Sequence, residues 1–321
     1  MASKQAFHEV YFEEISDESE ISETSGDEDS EVSSDKDTEI FLAGSDIDKD
    51  VFLFNAIENE TPRIVKRLLK KGCNPNARYS NGVEINVDES EMMTPLLKAF
   101  KRNRIEIAKV LLKYGAEISP ALQHAASSGK LEIIEFLLKC NADVSDINDE
   151  RCTPLHLVAK NNSWAVSDRL EAMKILLENG ADVNVKDSEL DTPLFHAIYI
   201  GNIEIIKLLL KYDVNIDAID VYGDSALLLA VENRHAEIVE ILLQKGANVN
   251  FQDEAMRTHL YNASPKIAKL LLDYASNVAL CIRDTEGNTV FENTLEDKNF
   301  EIMKMIAFHN IIQTKTLNIP N

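Results

Sequence analysis

The chain has 321 residues, 45% of them hydrophobic, which is enough for a long repeat array or two to three ordinary domains with a real core. Its net charge of −22 disfavours phosphate backbones and anionic lipid surfaces, so nucleic acid and membrane are not expected as partners. Cys73, Cys140, Cys152 and Cys281 lie far apart with no CxxC and no paired-His spacing, which argues against a disulfide framework, a structural zinc or any bound cofactor and for reduced thiols inside a cell.

The N-terminal stretch MASKQAFHEVYFEE has no apolar core of signal-peptide length, and no later run is long enough to span a membrane. A soluble cytoplasmic or nuclear protein is expected. The acidity is concentrated at this end. Residues 1–50 carry three Lys against seventeen Asp and Glu, a net of −14, which leaves −8 of the −22 for the remaining 271 residues. From Glu13 to Glu39 nearly every residue is Ser, Thr, Asp or Glu, so residues 1–45 read as a disordered acidic tail. Thr24, Ser25 and Ser34 each have an acid three residues later and are candidate phosphorylation sites.

Beyond the tail the chain repeats itself. RCTPLHLVAK, LDTPLFHAIYIGN, GDSALLLAVENRH and MRTHLYNAS place Thr153, Thr192, Ser225 and Thr258 at offsets of 39, 33 and 33, and MMTPLLKAFKRN starts an earlier unit at Thr94. A second signature follows each: AKVLLKYGAEI, IEFLLKCNADV, MKILLENGADVN, IKLLLKYDVNID, VEILLQKGANVN and AKLLLDYASNV. Thr is a helix N-cap, whose hydroxyl accepts from an orphan backbone N–H, and Pro behind it sits where its missing N–H costs nothing. The second helix, such as IEIIKLLLKY (203–212), is apolar on two faces, and Gly72, Gly115, Gly180 or Gly246 ends it. A helix pair of this kind cannot bury its apolar surface alone, so neighbours must stack.

TPLHLVAK (153–160) and LLENGADVNVKD (176–187) closely resemble the ankyrin-repeat family, and the joint recurrence of TPL and LLxxGAxVN over six units makes the resemblance specific. It implies an all-α repeat solenoid, helix-turn-helix units with projecting β-turns, over residues 46–310, followed by a short tail at 311–321. About eight units are expected. The first (about 48–79) lacks TPL, the seventh lacks most of the turn between its helices, and the eighth (289–310) is degenerate and polar outward, as a C-terminal cap should be.

Cys152 and His156 are four apart, which on a helix would place a thiol and an imidazole on one face. In this frame Cys152 precedes the cap Thr153, and His156 fills the slot that in the resembled family is structural, bonded to the cap Thr and to a neighbouring unit's backbone. No third orienting group and no GxxxxGK[ST], HExxH or GxSxG is present, so no catalytic, cofactor or metal residue is expected.

Partners of the resembled family usually lie on the turn tips and the exposed positions of the first helices. Carried over by position, these are Lys98, Lys101 and Arg102 in unit two, His124, Ser127 and Ser128 in unit three, and Leu157 and Lys160 in unit four. Unit five contributes His196, Tyr199 and Ile200, and unit six Leu229, Glu232 and Asn233. Tyr199, Ile200 and Leu229 form a candidate apolar anchor. Asp187, Asp220, Asp253 and Asp284 belong to the turn pattern. Asp149, Glu150, Glu189, Asp191, Asp224, Glu254 and Glu286 are extra acids, which with Tyr222 on the tips suit a basic protein partner. Unit two reverses the sign with KAFKRNR (98–104). Insertions at 80–92 and 161–168, the latter carrying the sole Trp, Trp164, are candidate partner loops.

The expected function is therefore a monomeric, non-catalytic adaptor or inhibitor. One version is a weaker resemblance to ankyrin-repeat inhibitors of Rel-type transcription factors, which join an acidic Ser-rich tail to such repeats. Here TSGDEDS (24–30) has Thr24 where their phosphodegron has Asp. Another is a substrate-recognition subunit of a ubiquitin ligase or phosphatase complex. Asn184 and Asn250 match a turn position that the family resemblance marks for asparaginyl hydroxylation, with turn hydrogen bonding as the simpler role.

Overall fold

The computed structural model describes residues 46–59, 61–78, 93–274, 278–297 and 299–317. The acidic tail, with Thr24, Ser25 and Ser34, and the insertion at 80–92 lie outside the described residues. The described residues form α-helices linked by turns, with isolated antiparallel bridges at Ile219–Ser225, Gln252–Thr258 and Arg283–Thr289 where turns project.

The chain divides into two compact units. One runs to His124 and includes Glu135–Ala142; the other holds Ala125–Ile134 and everything from Asp143 on. In the first, α1 (Asp46–Asn59) packs on α2 (Pro62–Lys70) and α3 (Pro95–Lys101), and α4 (Ile105–Lys113) packs on α2 and α3. Next come α5 (Ser119–Ser128) and α6 (Leu131–Lys139). The second unit contains α7 (Pro154–Lys160), α8 (Val166–Glu178), α9 (Pro193–Ile200), α10 (Ile203–Leu209), α11 (Ala226–Glu232) and α12 (Ala236–Gln244). It ends with α13 (Pro265–Tyr274), α14 (Val290–Glu296) and α15 (Phe300–Leu317). First helices stack on first helices (α7 on α9, α9 on α11), and second helices on second helices (α8 on α10, α10 on α12, α12 on α13, α13 on α15).

The local chemistry explains these elements. Pro95, Pro154 and Pro193 open α3, α7 and α9 behind a Thr. Thr94 Oγ1 accepts the Leu97 N–H at 3.3 Å and Ser225 Oγ the Leu228 N–H at 3.2 Å. Thr289 accepts from the Glu292 N–H at 3.3 Å while Glu292 accepts from the Thr289 N–H at 2.7 Å, a reciprocal cap. The apolar faces meet in a continuous layer within each unit. Leu155, Val158, Leu176, Ile198, Ile205, Leu209, Val231 and Leu242 are fully buried. Each such side chain contributes roughly 1.5–3 kcal/mol on leaving water.

Polar side chains fix the register between neighbours. Asn76 Nδ2 donates to Gly115 O at 3.0 Å and its Oδ1 accepts from Glu117 N at 2.7 Å. Asn184 does the same with Asp213 O and Asn215 N, both at 2.8 Å. Asn250 Oδ1 accepts from Ala279 N at 2.8 Å, and Asp217 takes the role for Asn248 N at 2.9 Å. The amides of Asn184 and Asn250 thus carry backbone hydrogen bonds to the next repeat.

Three details depart from expectation. Unit seven lacks its first helix, not merely the turn between helices: Thr258–Tyr261 form a single turn, closed by Tyr261 N–H to Thr258 O at 3.0 Å, before α13 begins at Pro265. Only six residues lie between the cap Thr258 and the second helix at Pro265 here, against ten between Thr192 and Ile203, too few for a helix and a reversal. The last helix continues to Leu317, past the boundary expected at 310. Trp164 lies against Gly129 of the preceding repeat, where an added Cβ would stand 2.6 Å from its Nε1.

Gly129 also has φ +79°, so a side chain there meets both backbone strain and the indole. Gly129→Ala is expected to destabilise the protein by about 1–3 kcal/mol and to red-shift the emission of the sole Trp as it is pushed into solvent. Urea unfolding with fluorescence detection measures both.

Candidate functional site

The projecting turns share one construction. A carboxylate at the turn's start accepts the N–H groups two and four residues on. Asp187 Oδ1 takes Glu189 at 2.9 Å and Asp191 at 3.0 Å. Asp220 takes Tyr222 at 2.8 Å and Asp224 at 2.9 Å, and Asp284 takes Glu286 at 3.0 Å and Asn288 at 2.9 Å. Asn148 replaces the Asp in unit four, accepting from Cys152 N at 2.8 Å. Adjacent tips are joined by single backbone bonds, Ser188 N–H to Glu150 O at 2.9 Å and Val221 N–H to Glu189 O at 3.0 Å. The tips of units four to six are therefore one hydrogen-bonded edge.

The residues expected to meet a partner separate into two groups. Tyr199 (47% exposed), Tyr222 (63%) and Glu189 are exposed, as is Lys101, while Ile200, Asp224, Leu157 and His124 are half-buried. His196 (7%), Leu229 (6%) and Asp191 (6%) are buried. Leu229 packs within the first-helix row, so the expected Tyr199–Ile200–Leu229 anchor reduces to Tyr199 and Ile200. Two charges of the positive patch of unit two are compensated by unit one. Lys98 pairs with Glu58 at 3.0 Å and Arg102 pairs with the same carboxylate, and Lys98 above all holds Glu58 below its usual pKa.

Leu190 (42% exposed), Val221 (40%) and Met256 (48%) are apolar side chains on the tips that the family positions did not single out. Leu190 and Met256 have φ +61° and +60°, in the place where the neighbouring turns use Gly223 and Gly287. The signal was present in the sequence: DSEL and DEAM stand where DVYG and DTEG set the pattern. A bulky side chain held in a left-handed backbone costs about 1 kcal/mol or more.

The inner side of the unit-five and unit-six turns is crowded with negative charge. Burial, then Asp187 and Asp220, pushes the Asp191 carboxyl up to about 7. Burial, then Asp220 and Glu232, pushes Asp224 up to about 6. The Tyr199 hydroxyl is raised to about 12 by burial and by Asp191, Asp220 and Asp224. Asp191 Oδ1 is buried and has no hydrogen-bond partner among the described residues.

Cys152 and His156 do not act together. His156 Nδ1 accepts the Thr153 N–H at 3.1 Å and lies 2.8 Å from its hydroxyl, while Nε2 donates to Val185 O at 3.0 Å and Asp191 O at 3.2 Å. These partners fix the tautomer, and burial lowers its pKa to about 4. The Cys152 thiol instead faces carboxylates. Its Sγ lies 3.8 Å from Asp187 Oδ2 and 3.8 Å from Glu150 Oε2, and Asp187 Oδ2 also holds His196 Nε2 at 2.8 Å. Burial and then Asp187 push this thiol up to about 12, the opposite of what activates a nucleophile.

Sequence reasoning missed a further buried imidazole, beside His156 and His196. His259 stands where other repeats have Pro, with Nδ1 donating to Val249 O at 3.0 Å and Nε2 3.0 Å from the cap hydroxyl of Ser225. It replaces part of the packing that unit seven loses with its first helix. No described helix is long and apolar enough to cross a membrane.

The sequence profile of ankyrin repeats matches three times, over residues 33–121, 119–187 and 163–253. The chain belongs to the ankyrin-repeat family. It is 34% identical over 113 residues to a fowlpox virus (strain NVSL) protein named as an ankyrin repeat protein, covering 32% of this chain and 19% of that one. A second such fowlpox virus protein is 25% identical over 193 residues, 47% of this chain and 94% of the other. The chain thus spans about a fifth of the first relative's length and nearly all of the second's. Among solved structures, an ankyrin repeat domain from Acinetobacter baumannii AYE matches with a TM-score of 0.54 and 25% identity, over 59% of this chain and 97% of that domain. Ankyrin repeats generally serve protein–protein interaction, and the buried hydrogen-bonding of His156 is the structural role expected of it.

His259 sets an acid limit on stability. Burial holds its pKa at about 4, below the ordinary 6.5, so the fold keeps it neutral while the unfolded chain takes up a proton. Its contribution is complete above pH 6.5 and is lost as pH falls toward 4, on the order of 3 kcal/mol in all. A histidine NMR titration should show the His259 ring unprotonated at pH 5, where an exposed imidazole is almost fully charged, with stability falling over the same window.

Proposed function

We propose that this chain is a non-catalytic binding module, an adaptor or inhibitor in the cytoplasm or nucleus, whose protein partner lays a basic segment across units five and six. The observation that carries the reading is the unpaired, buried Oδ1 of Asp191 beside Asp187, Asp220 and Glu189, with Asp191, Asp220 and Asp224 together around the Tyr199 hydroxyl. A buried acceptor without a donor costs about 1–3 kcal/mol, and the surrounding carboxylates repel one another. An arginine or lysine entering between Asp191 and Asp224 relieves both terms at once. Tyr199 and Tyr222 flank the place with exposed rings, on which a guanidinium stacks and an aliphatic side chain packs. Leu190, Val221 and Met256 widen the apolar footprint along the same tips, and the strain accepted at two of them fits a surface kept for contact rather than for stability.

The Rel-type inhibitor and the ligase or phosphatase subunit are finer versions of this role. They differ in the partner and in segments outside the repeats, the tail at 24–30 above all.

Selection of displayed random peptides on the full chain tests the reading. Sequences rich in Arg and Lys next to aliphatic residues are expected, bound more weakly as salt rises. The double substitution Asp191→Asn and Asp224→Asn should weaken them about tenfold or more, equivalent to the loss of one charged hydrogen bond. Enrichment of neutral or acidic peptides, or affinities unmoved by the double substitution, rejects it.

A further inference from the structure

The cluster around Cys152 is not needed by a basic-segment docking surface. It brings together three kinds of metal donor: the sulfur of Cys152, a carboxylate oxygen of Asp187 and the imidazole nitrogen of His196. All three residues are buried and their donor atoms lie within 4.8 Å of one another. Glu150 Oε2 stands 3.8 Å from the same sulfur on a side chain 61% exposed, and Lys160 holds it at 3.2 Å. We propose that Cys152, Asp187 and His196, with Glu150 as fourth donor, form a zinc site that ties the unit-four turn to the turn and first helix of unit five.

The geometry is close to what zinc needs. A tetrahedral ion with bonds of about 2.3 Å to sulfur and about 2.0 Å to oxygen and nitrogen holds S and O roughly 3.5 Å apart, and N and O roughly 3.3 Å apart. The two S–O separations are 3.8 Å, and the N–O separation of 2.8 Å is a hydrogen bond that opens as the ion enters. The sulfur–nitrogen separation is within 4.8 Å, and Glu150, on an exposed side chain outside this close trio, swings in to complete the set. The exposed Glu150 gives an entry path from solvent.

Charge favours the same reading. Without a cation, a thiol in a dry place faces two carboxylates with one lysine between them. With zinc, the Cys152 thiol gives its proton to solvent, and the imidazole carries its remaining proton on Nδ1. The thiolate and two carboxylates then balance the zinc and Lys160 with no net charge left. Zinc supplies the charge that Cys152, Asp187 and Glu150 lack together, whereas carboxylates alone favour harder ions.

The His196–Asp187 bond alone does not make the site. Asn293, four residues after its cap Thr289, donates to the turn carboxylate Asp284 at 2.9 Å, just as His196, four after Thr192, does to Asp187. That bond is a scaffold bond of the repeat. Unit five differs in having an imidazole in place of the amide, and in the sulfur delivered by the preceding turn. The corresponding turn position before unit eight holds Arg257, which lines one cleft with Asp284 and Asn293. That arginine pairs with Asp253 of its own turn at 2.9 Å, so a cationic side chain borders the equivalent cleft.

The comparison also supplies the control. His196→Asn copies unit eight, keeping the scaffold bond while removing the ligand nitrogen. The reduced full-length protein is titrated with Co²⁺, then with Zn²⁺ against a chromophoric chelator, with circular dichroism confirming the fold of each variant. The wild type should show a thiolate-to-cobalt charge-transfer band that saturates at one ion per chain and is displaced by zinc. Cys152→Ser should abolish the band. His196→Asn should weaken zinc by at least ~10–100-fold, the loss already typical of an outer-shell partner, and Cys281→Ser should change nothing. Absence of the band in the wild type, or a band that survives Cys152→Ser, overturns the proposal.

Discussion

Each helix pair in this chain has more apolar surface than it can cover by itself. Helices such as α10 bury side chains on two faces, toward the first helix of the same repeat and toward the second helices on either side. Stability in such an arrangement is a sum over neighbours, so a repeat is held as much by the adjacent interface as by its own contacts. The polar features that recur along the chain follow from this constraint. Asn76, Asn184 and Asn250 each join their own repeat's turn to the backbone of the next, because stacked apolar layers alone set distance but not register.

The same constraint leaves the turn tips free to vary. The turn carboxylates are engaged by backbone N–H groups, so their charge is part of the scaffold. The acids beside them are not so engaged. Asp191 and Asp224 crowd against Asp220 and, for Asp224, Asp253, and their carboxyls rise accordingly. Replacing one partner in each pair by a neutral side chain would relieve that repulsion. Asp191 and Asp224 stand beside the exposed rings of Tyr199 and Tyr222, the surface on which the proposed docking rests.

Much of the fold was legible because its signals are local and repeated: a cap Thr, a Pro behind it, a closing Gly, at a recurring offset. His156 was legible for the same reason. The site was legible only in part. Position within a repeat identified Tyr199 and Tyr222, which are exposed, but also His196 and Leu229, which are buried, because exposure at those slots depends on the side chains of the adjoining repeat. The Cys152–Asp187–His196 cluster was invisible to linear spacing, since its donors are 35 and 9 residues apart and meet only when two turns stack. Leu190 and Met256 were readable as departures from Gly, yet that reading needs the turn's handedness, which pattern alone does not state. Unit seven was recognised as short, but the missing length was assigned to a loop rather than to a helix.

That missing helix leaves a seam. Between α11 and α14 the row of first helices is interrupted, and the second helices α12, α13 and α15 alone carry the apolar layer across. The gap is filled by His259 and by Tyr261, whose hydroxyl reaches Asn288 O at 2.7 Å. With no first helix to share the load, the coupling of the last repeat to the rest runs through a single row of second helices, braced only by that imidazole and that phenol, so a mechanical pull should part the chain there before it parts the doubly stacked repeats upstream.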